Sequence, residues 1–183
     1  MRLSDSDNEL FILTQQALFN YVIKTTRVVK VKKPLDYRHS HVDMETLWKL
    51  TQHIFDRPDL IDAFARENPA QMGQEQLDLA ASWTRFVYGK FCVVKDFKKY
   101  TVFMEMKETP KLYGVVGLFK EIRDMTPSLL PAMVETYLIP FQDKIVHCGF
   151  FHTFQVSFGP GIRKTLLADY RKYKQSRGII TQL

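Results

Sequence analysis

Gly159-Pro160-Gly161, followed after Ile162 by Arg163 and Lys164, is the stretch of this 183-residue chain best suited to chemistry. A strand-like run ends there and a helix begins. The first N–H groups of a helix lack partners within it, and its dipole adds positive potential, so such a junction can hold an anion. Arg and Lys in a first turn run against the dipole's preference for Asp or Glu, which argues in the same direction. Against it, Pro160 removes one donor, and the stretch is neither G-x-G-x-x-G nor G-x-x-x-x-G-K-[ST]. A turn that needs glycine only for steric reasons is the competing reading.

The helix predicted beyond that turn carries Ile162, Leu166, Tyr170 and Tyr173 at i, i+4, i+8 and i+11, one apolar stripe. Its other faces hold Arg163, Lys164, Arg171, Lys172, Lys174 and Arg177 against Asp169 alone. Cations in this density neutralise phosphates without reading base sequence. The predicted anion-binding residues are therefore Gly159, Gly161, Arg163, Lys164, Arg171 and Lys172. The alternative is an ordinary solvated face.

A second group is His39-Ser40-His41-Val42-Asp43. In an extended chain, alternate residues share a side, so His39, His41 and Asp43 would present two imidazoles and a carboxylate together. Those ligand types suit zinc, with His53 on the next helix the nearby further candidate. No diagnostic spacing completes the set, so the expectation is a surface loop without metal, and no cofactor is implied. His152, among Phe150, Phe154 and Phe158, is expected to be a buried core imidazole. His147 and Cys148 are neighbours on a strand and should point to opposite faces, which excludes a thiolate–imidazole pair. No G-x-S-x-G or H-E-x-x-H occurs, so nothing demands catalysis.

The elements that must position these residues follow from periodicity. Residues 1–84 read as helices: one with Leu10, Leu13, Ala17, Leu18 and Tyr21 inward, one from Asp43 with Leu47, Leu50, Ile54 and Phe55, one after Pro58 with Leu60, Ile61 and Phe64, and one from about Gln74. Thr25–Lys33 alternates as a strand would. Past residue 85 the period changes. Phe86–Lys95, Tyr100–Met106 and Leu112–Leu118 read as an antiparallel meander. A helix is predicted from Thr126-Pro127 through Tyr137, then a strand pair, Lys144–Cys148 and Phe150–Phe158, broken at Gly149. The closing helix runs from Gly161 to about Arg177, with Gly178 as its C-cap. The fold class is α+β: a helical lobe (1–84) on an antiparallel, partly curled sheet with two covering helices (85–183), one compact domain in all.

With 45% hydrophobic and 13% aromatic residues, the chain can bury a core without a staple. Cys92 and Cys148 lack C-x-x-C spacing and are expected as reduced, buried thiols. The first ten residues are polar and acidic rather than a secretory signal, and no apolar run approaches a bilayer span, so a cytoplasmic protein without membrane attachment is expected. Net charge is +6, unevenly placed: residues 1–84 carry −2 and residues 85–183 carry +8. The basic half is the half with the candidate helix.

Ile139-Pro140-Phe141, Lys144-Ile145-Val146, Gly149 and the terminal "GIIT" resemble the C-terminal part of an uncharacterised family of small bacterial proteins. The likeness covers roughly the last seventy residues. Cys148 stands where that family's pattern has Asp, and His147 where it has Tyr. The resemblance implies a bacterial, intracellular source and lends no activity. The functional expectation is a non-catalytic module that contacts nucleic acid or another polyanion through its basic C-terminal face. The alternatives are an enzyme with a cleft between lobes, metal-dependent through His39 and His41, and an interaction protein for an acidic partner.

Overall fold

The computed structural model describes residues 1–37, 43–126 and 130–183. The chain divides into a helical unit, Asp5–Arg85, and a sheet unit made of Met1–Ser4 and Phe86–Leu183.

The helical unit contains α1 (Asp5–Thr26), α2 (Met44–Asp56), α3 (Asp59–Glu67) and α4 (Gln74–Ser82). In α1 the buried stripe is Phe11, Leu18, Phe19, Tyr21 and Val22. Leu13, expected inward, is 38% exposed. The larger ring sets the rotation: Phe11 packs on Trp83 with ring centroids 5.4 Å apart. The strand expected over Thr25–Lys33 is absent. The helix instead continues to Thr26, where the Thr25 and Thr26 hydroxyls donate back to the Tyr21 and Val22 carbonyls. No strand pairs with residues 27–37, and an extended segment without a ladder partner is not held as a strand. The Asn20 amide accepts from the Leu35 N–H and donates to the Leu35 carbonyl, tying this segment to α1.

The sheet unit contains β1 (Val87–Asp96), β2 (Thr101–Glu105), β3 (Leu112–Val116), α5 (Ile122–Met125), β4 (Ala132–Phe141), β5 (Lys144–His147), β6 (His152–Thr153) and α6 (Pro160–Arg177). The predicted meander is present as β1–β2–β3. The helix expected over 126–137 falls partly on 127–129, outside the described residues, and its remainder is not helical: Ala132–Phe141 is strand β4. Its apolar residues satisfied a helical period in isolation, but Val134 and Leu138 go into the core beside partners on β1. The second covering helix is therefore the short α5, whose Ile122 fills the same core.

The sheet is mixed rather than purely antiparallel, because β3 and β5 run parallel. It also closes. Its order is β1-β2-β3-β5-β4, and β4 returns to pair with β1 from Val87↔Leu138 to Val93↔Ala132. β1 pairs with β2 on one edge and β4 on the other, and its register against β2 shifts between Val93 and Lys95; such a bulge adds the twist that closure requires. This is the five-stranded Greek-key arrangement of OB-type barrels. Phe91, Val93, Phe103, Tyr113, Val115, Val134, Leu138 and Ile145 fill the interior.

β5 and β6 lie along one edge of β4 as a single strand interrupted around Gly149, which takes φ 97°. Within that interruption the Thr136 hydroxyl donates to the Phe150 carbonyl at 2.7 Å, replacing a ladder bond. Residues 154–158, expected to continue the strand, do not. Accordingly His152 is exposed, edge-on to Phe154, rather than buried. The chain's last segment completes the wall: Ile180 bonds to Leu112 and Gly114 of β3, and Ile180 and Leu183 pack against the core.

Candidate polyanion-binding surface

α6 lies on the outer face of β1–β2–β3. Alternate residues of these strands point outward, and Cys92, Val94, Val102, Met104 and Leu112 form one buried cluster with Leu166 and Tyr170 of the helix. Two further contacts fix the helix to the sheet unit, and a glycine ends it. Tyr173 donates its hydroxyl to the Glu108 carbonyl at 3.0 Å. The Lys174 ammonium sits 5.2 Å from the centre of the Phe97 ring on the β1–β2 hairpin. The Gly178 N–H closes the helix onto the Lys174 carbonyl with Gly178 at φ 74°, a conformation that favours glycine.

The predicted stripe is only partly the packed one. Leu166 and Tyr170 are buried and Tyr173 is half-buried, but Ile162 is 56% exposed. The first turn extends past the edge of the sheet cluster, so Ile162 has nothing to pack on. Arg163 is also diverted. Its Nη2 donates to the Leu130 carbonyl at 2.6 Å, so the side chain turns back toward the barrel rather than lying beside the helix start. Lys164, Arg171 and Lys172 are exposed, as are Lys174 and Arg177.

Gly159 is the N-cap in extended conformation and Pro160 opens the helix. A Cβ on Gly159 or Gly161 would meet no atom within 4 Å, and neither has positive φ. Neither glycine is required by packing or backbone conformation at this turn. Both are exposed, and the Gly159 carbonyl accepts from the Arg163 N–H.

Lys98 and Lys99, on the β1–β2 hairpin, were hidden in a stretch that reads as an ordinary turn. They are exposed beside the half-buried Phe97 and Tyr100, which pack against the cluster under α6. Two aromatic residues within a turn are the signal that it is anchored. The hairpin thereby adds two cations next to the C-terminal end of the helix.

The remaining candidates separate from this surface. His39 and His41 lie outside the described residues. Asp43 caps α2, accepting from the Thr46 N–H and hydroxyl at 2.8 Å each, and the backbone bond holds its carboxyl below the usual range. No group of three or more His, Cys, Asp and Glu that could hold a metal ion occurs among the described residues. Cys92 and Cys148 are free and buried. His147 is 2% exposed, and burial pushes it down to about 4. No helix among the described residues is long and apolar enough to cross a membrane.

No family model matches the chain, and no curated protein or solved structure is similar to it. Barrel topology by itself lends no activity. The functional argument therefore rests on the chemistry of α6 and its hairpin.

Proposed function

We propose that the sheet unit is a non-catalytic module that binds nucleic acid or a comparable polyanion through the exposed face of α6 and the adjoining hairpin. One observation carries this reading. α6 holds six Lys/Arg against Asp169, and none of the six forms an ion pair among the described residues. Of the cations elsewhere, Lys49, Arg57, Lys107, Arg123 and Lys144 pair with carboxylates. Uncompensated like charges along one helix repel by a few tenths of a kcal/mol per close pair. A row of phosphates relieves that repulsion and releases its own counterions. The rigid attachment of α6 adds to this, because cations held in place lose less entropy on binding than cations on a mobile tail.

The test is a salt-stepped titration of labelled nucleic acid and of heparin against the wild-type chain and the triple variant Lys164→Glu, Arg171→Glu, Lys172→Glu. These three side chains are exposed, so the variant keeps its melting temperature. Wild-type affinity should fall on a log–log plot by about 0.7–0.9 per neutralised phosphate. A charge-reversed variant that binds like the wild type would overturn the proposal.

A further inference from the structure

We infer that the polyanion is double-stranded DNA and that α6 enters its major groove. This rests on the polyanion reading above and names the form of nucleic acid that the surface fits.

The surface is convex and helical. α6 has 18 residues, about 27 Å at the usual rise, and its packed side is confined to Leu166 and Tyr170 with Tyr173 at the margin. On the far side Lys164, Ala168, Arg171 and Gln175 recur at i, i+4, i+7 and i+11, so they form one ridge, and all four are exposed. Gly161, Thr165 and Lys172 flank it and are exposed too. Ala168 on the ridge, with Gly161 and Thr165 beside it, lets the helix backbone approach a partner closely, while Lys164 and Arg171 on the ridge and Lys172 beside it supply the charge. An α-helix with its side chains is about 10–12 Å across, and the B-form major groove is about 12 Å wide.

Single-stranded nucleic acid fits this surface poorly. Proteins that hold single strands stack bases on aromatic rings. Here Phe97, Tyr100, Phe158, Tyr170 and Tyr173 all pack in the layer beneath the helix, and the ridge carries no ring. Barrels of this topology bind oligonucleotides across their strand 2–3 face. In this chain that face is covered, because Val102, Met104 and Leu112 lie under Leu166 and Tyr170. Duplex RNA is excluded on other grounds: its major groove is too narrow and deep for a helix. Of the ridge residues, Gln175 has the amide and Arg171 the guanidinium that can read a base edge, and Lys164 has an ammonium for a base edge or a phosphate.

The experiment compares four probes by fluorescence anisotropy at one salt concentration: a DNA duplex of about two helical turns, one of its strands, the same sequence as duplex RNA, and heparin. The variant is Ala168→Trp, which leaves every charge in place, and Ala168 is exposed, so the fold is not asked to accommodate the ring. Duplex DNA should bind the wild type about tenfold or more tighter than the single strand or duplex RNA, as groove entry requires. Ala168→Trp should lose that margin for duplex DNA and keep its heparin affinity. Equal binding of single strand and duplex, or an Ala168→Trp variant that holds duplex DNA as the wild type does, would overturn the inference while leaving polyanion binding standing. Failure of all four probes, heparin included, would remove the underlying reading and this one with it.

Discussion

The Arg163 guanidinium and the Leu130 carbonyl are joined by a 2.6 Å hydrogen bond across thirty-three residues of chain. It ties the first turn of α6 to the segment that leads into β4, so an arginine of the apparent binding set is a structural clamp. Arg163→Met should lower stability by about 1.5–3 kcal/mol, the range for a hydrogen bond from a charged donor. Lys164→Met, one residue on and fully outward, should be close to neutral. Urea midpoints of the two variants separate the roles; equal midpoints would return Arg163 to the solvated face.

His147 makes stability depend on pH. Its Nδ1 accepts from the Gly149 N–H at 3.2 Å, which places the ring proton on Nε2, and Nε2 is buried without a partner. Burial holds the folded-state value down to about 4, against 6.5 for the ordinary group. Between those values the unfolded chain takes up a proton that the folded chain refuses, so stability falls as pH drops. The full contribution is present above pH 6.5 and is lost toward pH 4, on the order of 3 kcal/mol. Subtracting the pH profile of His147→Leu from that of the wild type isolates this contribution from the carboxylates; parallel profiles would contradict it.

Cys92 and Cys148 should be inert. Desolvation pushes the Cys92 thiol up to about 12 and raises that of Cys148, so little thiolate exists at neutral pH. An aromatic disulfide reagent should react with neither until the chain is unfolded, then with both. Prompt reaction of one thiol in the folded protein would show that its strand opens.

The glycines divide sharply. A Cβ at Gly117 would lie 2.2 Å from the Lys120 carbonyl oxygen, a backbone atom that cannot rotate away. Gly117→Ala should cost several kcal/mol, roughly 3–5 as for other severe strain, or prevent folding. Gly161, in the first turn of α6 with open space around it, behaves oppositely. Gly161→Ala should raise stability by about 0.5–1 kcal/mol through the unfolded state. Thermal melts of the two variants decide both points.

The meander β1–β2–β3 and the closing helix were legible because each repeats a period several times between clear turn residues, and Gly178 marks the helix end. β4 is ambiguous in sequence because 130–137 also spaces its apolar residues three and four apart; only pairing with β1 on one edge and β5 on the other resolves it. Closure of the sheet was invisible for the same reason, since contacts between β1 and β4 leave no local mark. The cationic face of α6 could be read directly from residue types. The diversion of Arg163 could not, because its acceptor is a backbone carbonyl remote in sequence. His152 belongs inside only if the strand runs on to Phe158; it stops at Thr153, and the imidazole is left at the edge.

Arg2 pairs in parallel with Gly117, and the Leu3 N–H donates to the Gly117 carbonyl, so the chain enters the sheet unit, leaves it for Asp5–Arg85 and returns at Phe86. The helical unit is thus an insert with two covalent tethers instead of one. A protease that nicks a single crossing frees neither piece. If the insert melts while the barrel persists, its residues become a closed loop whose ends stay pinned, with less conformational entropy than a free chain would gain. The contact between the first residues and Gly117 is also among the most remote in sequence, and such contacts form late. The N-terminal segment should be the last stave set into the barrel on refolding.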